Sequence, residues 1–159
     1  MLLAKVVIFT ILVPGTIVAA IPYLLLREEP APHPGFLGLL GLLPLALGVS
    51  VYLWCAWDFA STGRGTPAPI DPPRMLVARG LYRVVRNPMY VGVLLILIGE
   101  SMVFSSWVIL QYAFFVWLMF HLFVVFYEEP TLRKKFGAAY EEYRRNVSRW
   151  FPHRPIPAR

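Results

Sequence analysis

"WVILQYAFFVWLMFHLFVVFYEEP" runs from Trp107 to Pro130, and its reading decides the fold. From Trp107 to Tyr127 no residue carries a formal charge, with Gln111 and His121 as the polar interruptions. About 20 apolar residues cross the hydrocarbon of a bilayer, so this run is read as a membrane span. It ends in two adjacent carboxylates, Glu128 and Glu129, which repel each other unless something lies between or beside them.

Working outward, three further apolar runs appear, at Leu2–Leu26, Gly35–Ala60 and Pro88–Phe104. The whole chain of 159 residues is 58% hydrophobic and 15% charged, too apolar for an ordinary soluble domain. The expectation is an all-α polytopic membrane protein. It has about four transmembrane helices and a cytoplasmic C-terminal amphipathic helix. The third run is short for a straight span. The first carries a weak cleavage-like Val18-Ala19-Ala20. Because it stays apolar through Leu26, a retained span is favoured over a removed signal.

The net charge of +6 follows topology better than it follows a nucleic-acid patch. Arg64, Arg74, Arg79, Arg83 and Arg86 lie between spans two and three. Arg133, Lys134, Lys135, Arg144, Arg145, Arg149, Arg154 and Arg159 follow span four. The turn between spans three and four has no cation. The positive-inside rule then places both termini and the middle loop in the cytoplasm, and the plasma (inner) membrane is the expected location. No nucleic-acid partner is expected. The single cysteine, Cys55, excludes an internal disulfide and has no basic neighbour in sequence that would make it a nucleophile, so it is read as packing.

The middle loop is rich in glycine and proline, including Gly63, Gly65, Pro67, Pro69, Pro72 and Pro73, which favours a turn followed by a stiff extended segment. Asn87-Pro88 reads as a helix start, a side-chain cap followed by proline at the first helical position. Arg83 and Arg86 just precede it, which makes that end a place for an anion. In the tail, Leu132, Phe136, Ala139 or Tyr140, and Tyr143 recur at steps of three and four as one apolar face. Such a helix can lie on lipid heads or fold back onto the ends of spans three and four. Gly35, Gly38 and Gly41 are read as a helix-packing stripe.

Spans three and four are joined by a short turn, so their cytoplasmic ends lie close together. Cations on one side and two glutamates on the other suit a zwitterionic ligand that also carries a positive centre.

"RNPMYVG" at 86–92, then "YEEP" and "LRKKFGAAYEEY", resembles the isoprenylcysteine carboxyl methyltransferase and phospholipid N-methyltransferase superfamily. These are integral membrane enzymes that use S-adenosylmethionine. The resemblance covers roughly Gly63 to Trp150. Asn87 stands where the prenylcysteine enzymes usually carry histidine, and it matches the Asn-Pro-Met-Tyr form of the phospholipid enzymes. The resemblance implies that Asn87, Pro88, Tyr90, Glu128 and Glu129 bind S-adenosyl-L-methionine, with Gly63 and Gly65 as a looser match. Arg83 and Arg86 would supply donors to the cofactor's own carboxylate. Arg86, His121 and Glu128 are the catalytic candidates. No metal is expected.

The implied organisation is one methyltransferase domain over 1–159. It comprises two spans in 1–60, a cytoplasmic loop in 61–87, two spans in 88–127, and a tail in 128–159 that forms part of the cofactor site. The expected reaction is methyl transfer to a lipid-soluble or amphiphilic acceptor. That acceptor is a prenylcysteine carboxylate, a phospholipid amine or a hydrophobic small molecule, so membrane lipid is a partner. The alternatives are a non-catalytic membrane scaffold and an NADPH-dependent membrane reductase relative. Asp58 is expected near Arg64. Trp54, Trp57, Trp150 and Phe151 are expected as interface anchors.

Overall fold

The computed structural model describes residues 2–28, 35–62, 76 and 78–152, so Gly63, Gly65 and Arg64 lie outside the described residues. The described residues are all-α. The first span is built from α1 (Leu2–Leu12), a π-helical turn at Thr16–Ala20 and α2 (Ile21–Leu26). The second is α3 (Phe36–Thr62). A short 3-10 turn at Gly80–Arg83 leads into α4 (Pro88–Val103). After the outer turn, α5 (Trp107–Phe123) passes through a π-helical turn (Val124–Glu128) into α6 (Glu129–Phe136). The tail ends in α7 (Ala138–Asn146).

Among the described residues, three helical stretches are long and apolar enough to cross a membrane: Val7–Leu26, Gly38–Asp58 and Trp107–Phe136. The fourth, α4, is apolar but has only 16 residues. At 1.5 Å per residue it is about 24 Å long, short of a hydrocarbon core of about 30 Å. It makes up for length by burial. Gly92, Val93, Ile96, Leu97 and Gly99 are all enclosed by its neighbours. With no hydrophobic force between helices in lipid, this association depends on close van der Waals fit.

Glycine makes that fit possible. A Cβ on Gly48 would lie 2.6 Å from the Gly92 carbonyl oxygen, and one on Gly41 would lie 2.8 Å from that of Gly99. Gly38 meets the Val103 carbonyl more loosely, and Gly35 meets nothing within 4 Å. The packing stripe is therefore Gly38, Gly41 and Gly48 of α3 against Gly92 and Gly99 of α4, with Gly35 outside it. The Tyr52 hydroxyl lies 2.9 Å from Thr10 Oγ1, and Tyr112 donates to the Ile17 carbonyl at 3.1 Å, which ties the first span to α3 and α5. Cys55 is buried in the core beside Tyr52, Met89 and Val93, as a packing residue.

Two features of the last third differ from the sequence expectation. The helix does not stop at the glutamate pair. It widens into a π turn and continues, carrying Pro130 at the start of α6. Proline and π turns are the usual places where a long helix changes course, and here they coincide. The single amphipathic tail helix is instead two helices, broken at Gly137 with φ 52° and ψ −124°. Only glycine adopts that conformation without strain. The break folds α7 back against the segment before α4 and the end of the last span, and Tyr140 of α7 is 2% exposed there.

Candidate functional site

The start of α4 is set by Pro88, fully buried at the first helical turn. Asn87 precedes it, but its side chain does not cap the helix. The amide Nδ2 instead donates to the Arg149 carbonyl at 3.2 Å. The cap is given up because the tail offers a carbonyl in the opposite direction. Alongside, Arg86 N donates to the Ser148 carbonyl at 2.8 Å, and Val85 and Ser148 form a parallel bridge. The segment after α7 thus lies directly against the segment before α4.

The π turn and α6 present the two glutamates to different partners. Tyr90, one turn into α4, donates its hydroxyl to Glu128 Oε2 at 3.2 Å, and its ring stacks on Phe120 at 4.6 Å between centroids. Glu129 is buried and faces two guanidinium groups. Arg86 Nη1 lies 3.1 Å from Glu129 Oε1. Arg149 grips both oxygens, Nε to Oε1 at 2.6 Å and Nη2 to Oε2 at 3.0 Å. This fork-on-fork geometry is the strong form of the Arg–carboxylate pair. The hydrogen bond to Glu129 raises the Arg149 pKa above its ordinary value, so the guanidinium stays charged. The two carboxylates therefore face different partners. Glu129 holds two cations, and Glu128 belongs to an aromatic cluster.

Tyr140 and Tyr143 of α7 close one side of the cluster. Arg86 Nη1 reaches the Tyr140 hydroxyl at 3.4 Å, and Tyr143 donates to the Tyr82 carbonyl at 2.6 Å. Burial pushes the phenols of Tyr82, Tyr140 and Tyr143 above the ordinary range, so they remain neutral donors. Arg86 keeps one buried group, Nε, without a hydrogen-bond partner among the described residues. A buried guanidinium N–H left unmade is costly, and an incoming acceptor would relieve it.

The other expected residues fall as follows. His121, half-buried on α5, accepts from Trp150 Nε1 at its Nδ1, 3.2 Å away. A neutral ring that accepts there carries its proton on Nε2. Arg83 does not join the glutamate cluster. It is exposed and lines a separate cavity of about 390 Å³ with Leu76, Glu142 and Asn146. Its position on the turn Gly80–Arg83 turns it to the 139–142–143–146 face of α7, whereas Arg86 meets Tyr140. Arg133 pairs with Glu141 at 2.7 Å rather than with the glutamate pair. Asp58 is buried against Gly80, whose φ of +54° and lack of a Cβ give it room. Trp54, Trp57 and Phe151 are exposed, as interface anchors would be, while Trp150 is half-covered by His121. No group of three or more metal-ligating side chains occurs among the described residues. Sequence reasoning placed Tyr140 on the apolar face of the tail but missed its contact with Arg86, and it missed the roles of Arg149 and Tyr82. No local pattern marks these contacts, because each acts across a long sequence separation.

Residues 36–139 match the model of the phospholipid methyltransferase family. The chain belongs to that family. Membership classes it with the S-adenosylmethionine-dependent methyltransferases. A protein-S-isoprenylcysteine O-methyltransferase from Schizosaccharomyces pombe is 34% identical over 79 residues, or 49% of this chain. The match spans 33% of that relative's length. No solved structure matches the chain. The family match ends before Tyr140 and Arg149, so the tail's part in the cluster is known from geometry alone.

Proposed function

We propose that this family member transfers a methyl group from S-adenosylmethionine to a lipid-soluble or amphiphilic acceptor at the cytoplasmic membrane face. The acceptor classes are a prenylcysteine carboxylate, a phospholipid amine or a hydrophobic small molecule. The observation that carries the reading is the meeting of the Asn87–Tyr90 helix start with Glu128 and Glu129, in a chain of this family. Residues 1–159 act as one domain, with four spans and both termini in the cytoplasm.

The residues suit the cofactor. Its ammonium and ribose hydroxyls are groups that a carboxylate such as Glu128 favours, and its carboxylate suits the unpartnered Nε of Arg86. When bound, the cofactor supplies an electrophilic methyl group on a sulfonium, which needs no covalent intermediate with the protein. The protein's work is alignment and exclusion of water. Arg86 orients, Tyr90 and Phe120 form a flat apolar wall, and the Tyr140 side closes against solvent. For an amine acceptor, Glu128 would take the displaced proton. A carboxylate or thiolate acceptor needs no base. The cofactor enters from the cytoplasm, and the acceptor slides in from the inner leaflet near His121. This spares a lipid tail about 0.8 kcal/mol per methylene exposed to water.

The test is calorimetry of S-adenosylmethionine on the full chain in detergent, paired with transfer of labelled methyl groups into membrane lipid extracts. Saturable one-to-one binding with label in an extracted lipid is expected. A protein that binds NADPH and no S-adenosylmethionine would overturn the reading.

A further inference from the structure

The glutamate at the centre of the cluster is served by more positive charge than it needs. Arg86 alone would neutralise Glu129, its Nη1 meeting Oε1 at 3.1 Å. A carboxylate held through one oxygen can turn about its last bond. Arg149 adds a planar fork that engages both oxygens and fixes that rotation. The main chain around Arg149 is held as firmly as its side chain. Its carbonyl accepts from Asn87, the preceding carbonyl of Ser148 accepts from Arg86 N, and the following Trp150 is tied to His121. A surface arginine that merely decorated a helix would show none of this.

The contacts on Arg86 also have a direction. Both Glu129 and Tyr140 engage Nη1, and the buried Nε is left without a partner among the described residues. Two guanidinium groups around one carboxylate leave a net positive charge. That charge favours an anion, and Nε is the buried donor without a partner among the described residues.

We infer that Arg149 is a positioning residue of the cofactor site. Through Glu129 it sets the Arg86 guanidinium so that Nε meets the carboxylate of the ligand's amino-acid end. This rests on the methyltransferase reading above. The segment Val147–Trp150, outside the matched family region, is then one wall of the site rather than a trailing end.

Calorimetry on the full chain with two ligands separates this from a merely structural salt bridge. S-adenosylhomocysteine carries the amino-acid end, and 5′-methylthioadenosine lacks it. Arg149→Gln should weaken S-adenosylhomocysteine by about tenfold, the scale of one charge-assisted bond, and leave 5′-methylthioadenosine unchanged. Arg149→Lys should recover part of the loss, since it restores charge without the fork. Thermal melting of each variant reports folding. Equal loss of both ligands, or no loss of either, overturns the role of Arg149. If Arg149→Gln is silent while Arg86→Gln and Glu129→Gln lose S-adenosylhomocysteine, the site stands and this inference falls. If all three variants bind normally, the site itself is elsewhere and both readings fall.

Discussion

At the scale of single residues, the two adjacent glutamates have unlike surroundings and should respond differently to the same substitution. Glu129→Gln removes the charge between two guanidinium groups, one of them nine-tenths buried. Stranding a buried charge is costly, so a loss on the order of 2–3 kcal/mol is expected, with cofactor affinity down by at least about tenfold. Glu128→Gln keeps an acceptor for Tyr90 and should cost less than about 1 kcal/mol. Thermal denaturation in detergent, with calorimetry on the folded variants, compares the two. Equal destabilisation would contradict the division of roles. The neutral phenols give a second expectation. A group whose folded pKa is raised contributes stability that is full below its unfolded pKa and lost as pH rises through the folded value. Burial raises Tyr82, Tyr140 and Tyr143, so melting temperature should hold up to about pH 10 and fall beyond it. Tyr143→Phe should make that alkaline fall shallower.

At the scale of elements, the pairing of α3 with α4 is a steric matter. A Cβ at Gly48 meets backbone on α4, which has no flexible end to move aside, so Gly48→Ala should destabilise by roughly 1–3 kcal/mol. Gly35→Ala, with open space around it, should stay within about 0.5 kcal/mol. Melting temperatures of the two variants side by side would decide. The comparison also shows what the sequence discloses. Apolar runs marked the helices to within a few residues, because burial in lipid depends on composition over a long window. The Asn87-Pro88-Tyr90 start and the glutamate pair were legible as local motifs. The π turn at Val124–Glu128 was not, since an apolar run looks the same at either helical pitch. Gly137 was visible as a glycine, yet the three-and-four spacing ran across it and suggested one helix. Arg149 was one cation among many in the tail, and only the folded chain distinguishes it by bringing it to Glu129.

At the scale of the whole molecule, the proposed topology has a direct check. Single cysteines at Glu28 and Arg144, in a Cys55→Ala background, should label from opposite sides of sealed membrane vesicles. Labelling from one side would exclude the four-span arrangement. The bridge between Val85 and Ser148 has a further consequence, for the order in which the protein is made. Synthesis proceeds from the amino end, and the earlier parts of a chain settle first. All the apolar helices have been synthesised before residue 148 is added. A released chain truncated just after Gly137 would carry every apolar helix, and Arg86 and Glu129, without Arg149 or Tyr140. Closure of the cluster against water is therefore the last step of folding, and it waits for Arg149 and Trp150 to leave the ribosome.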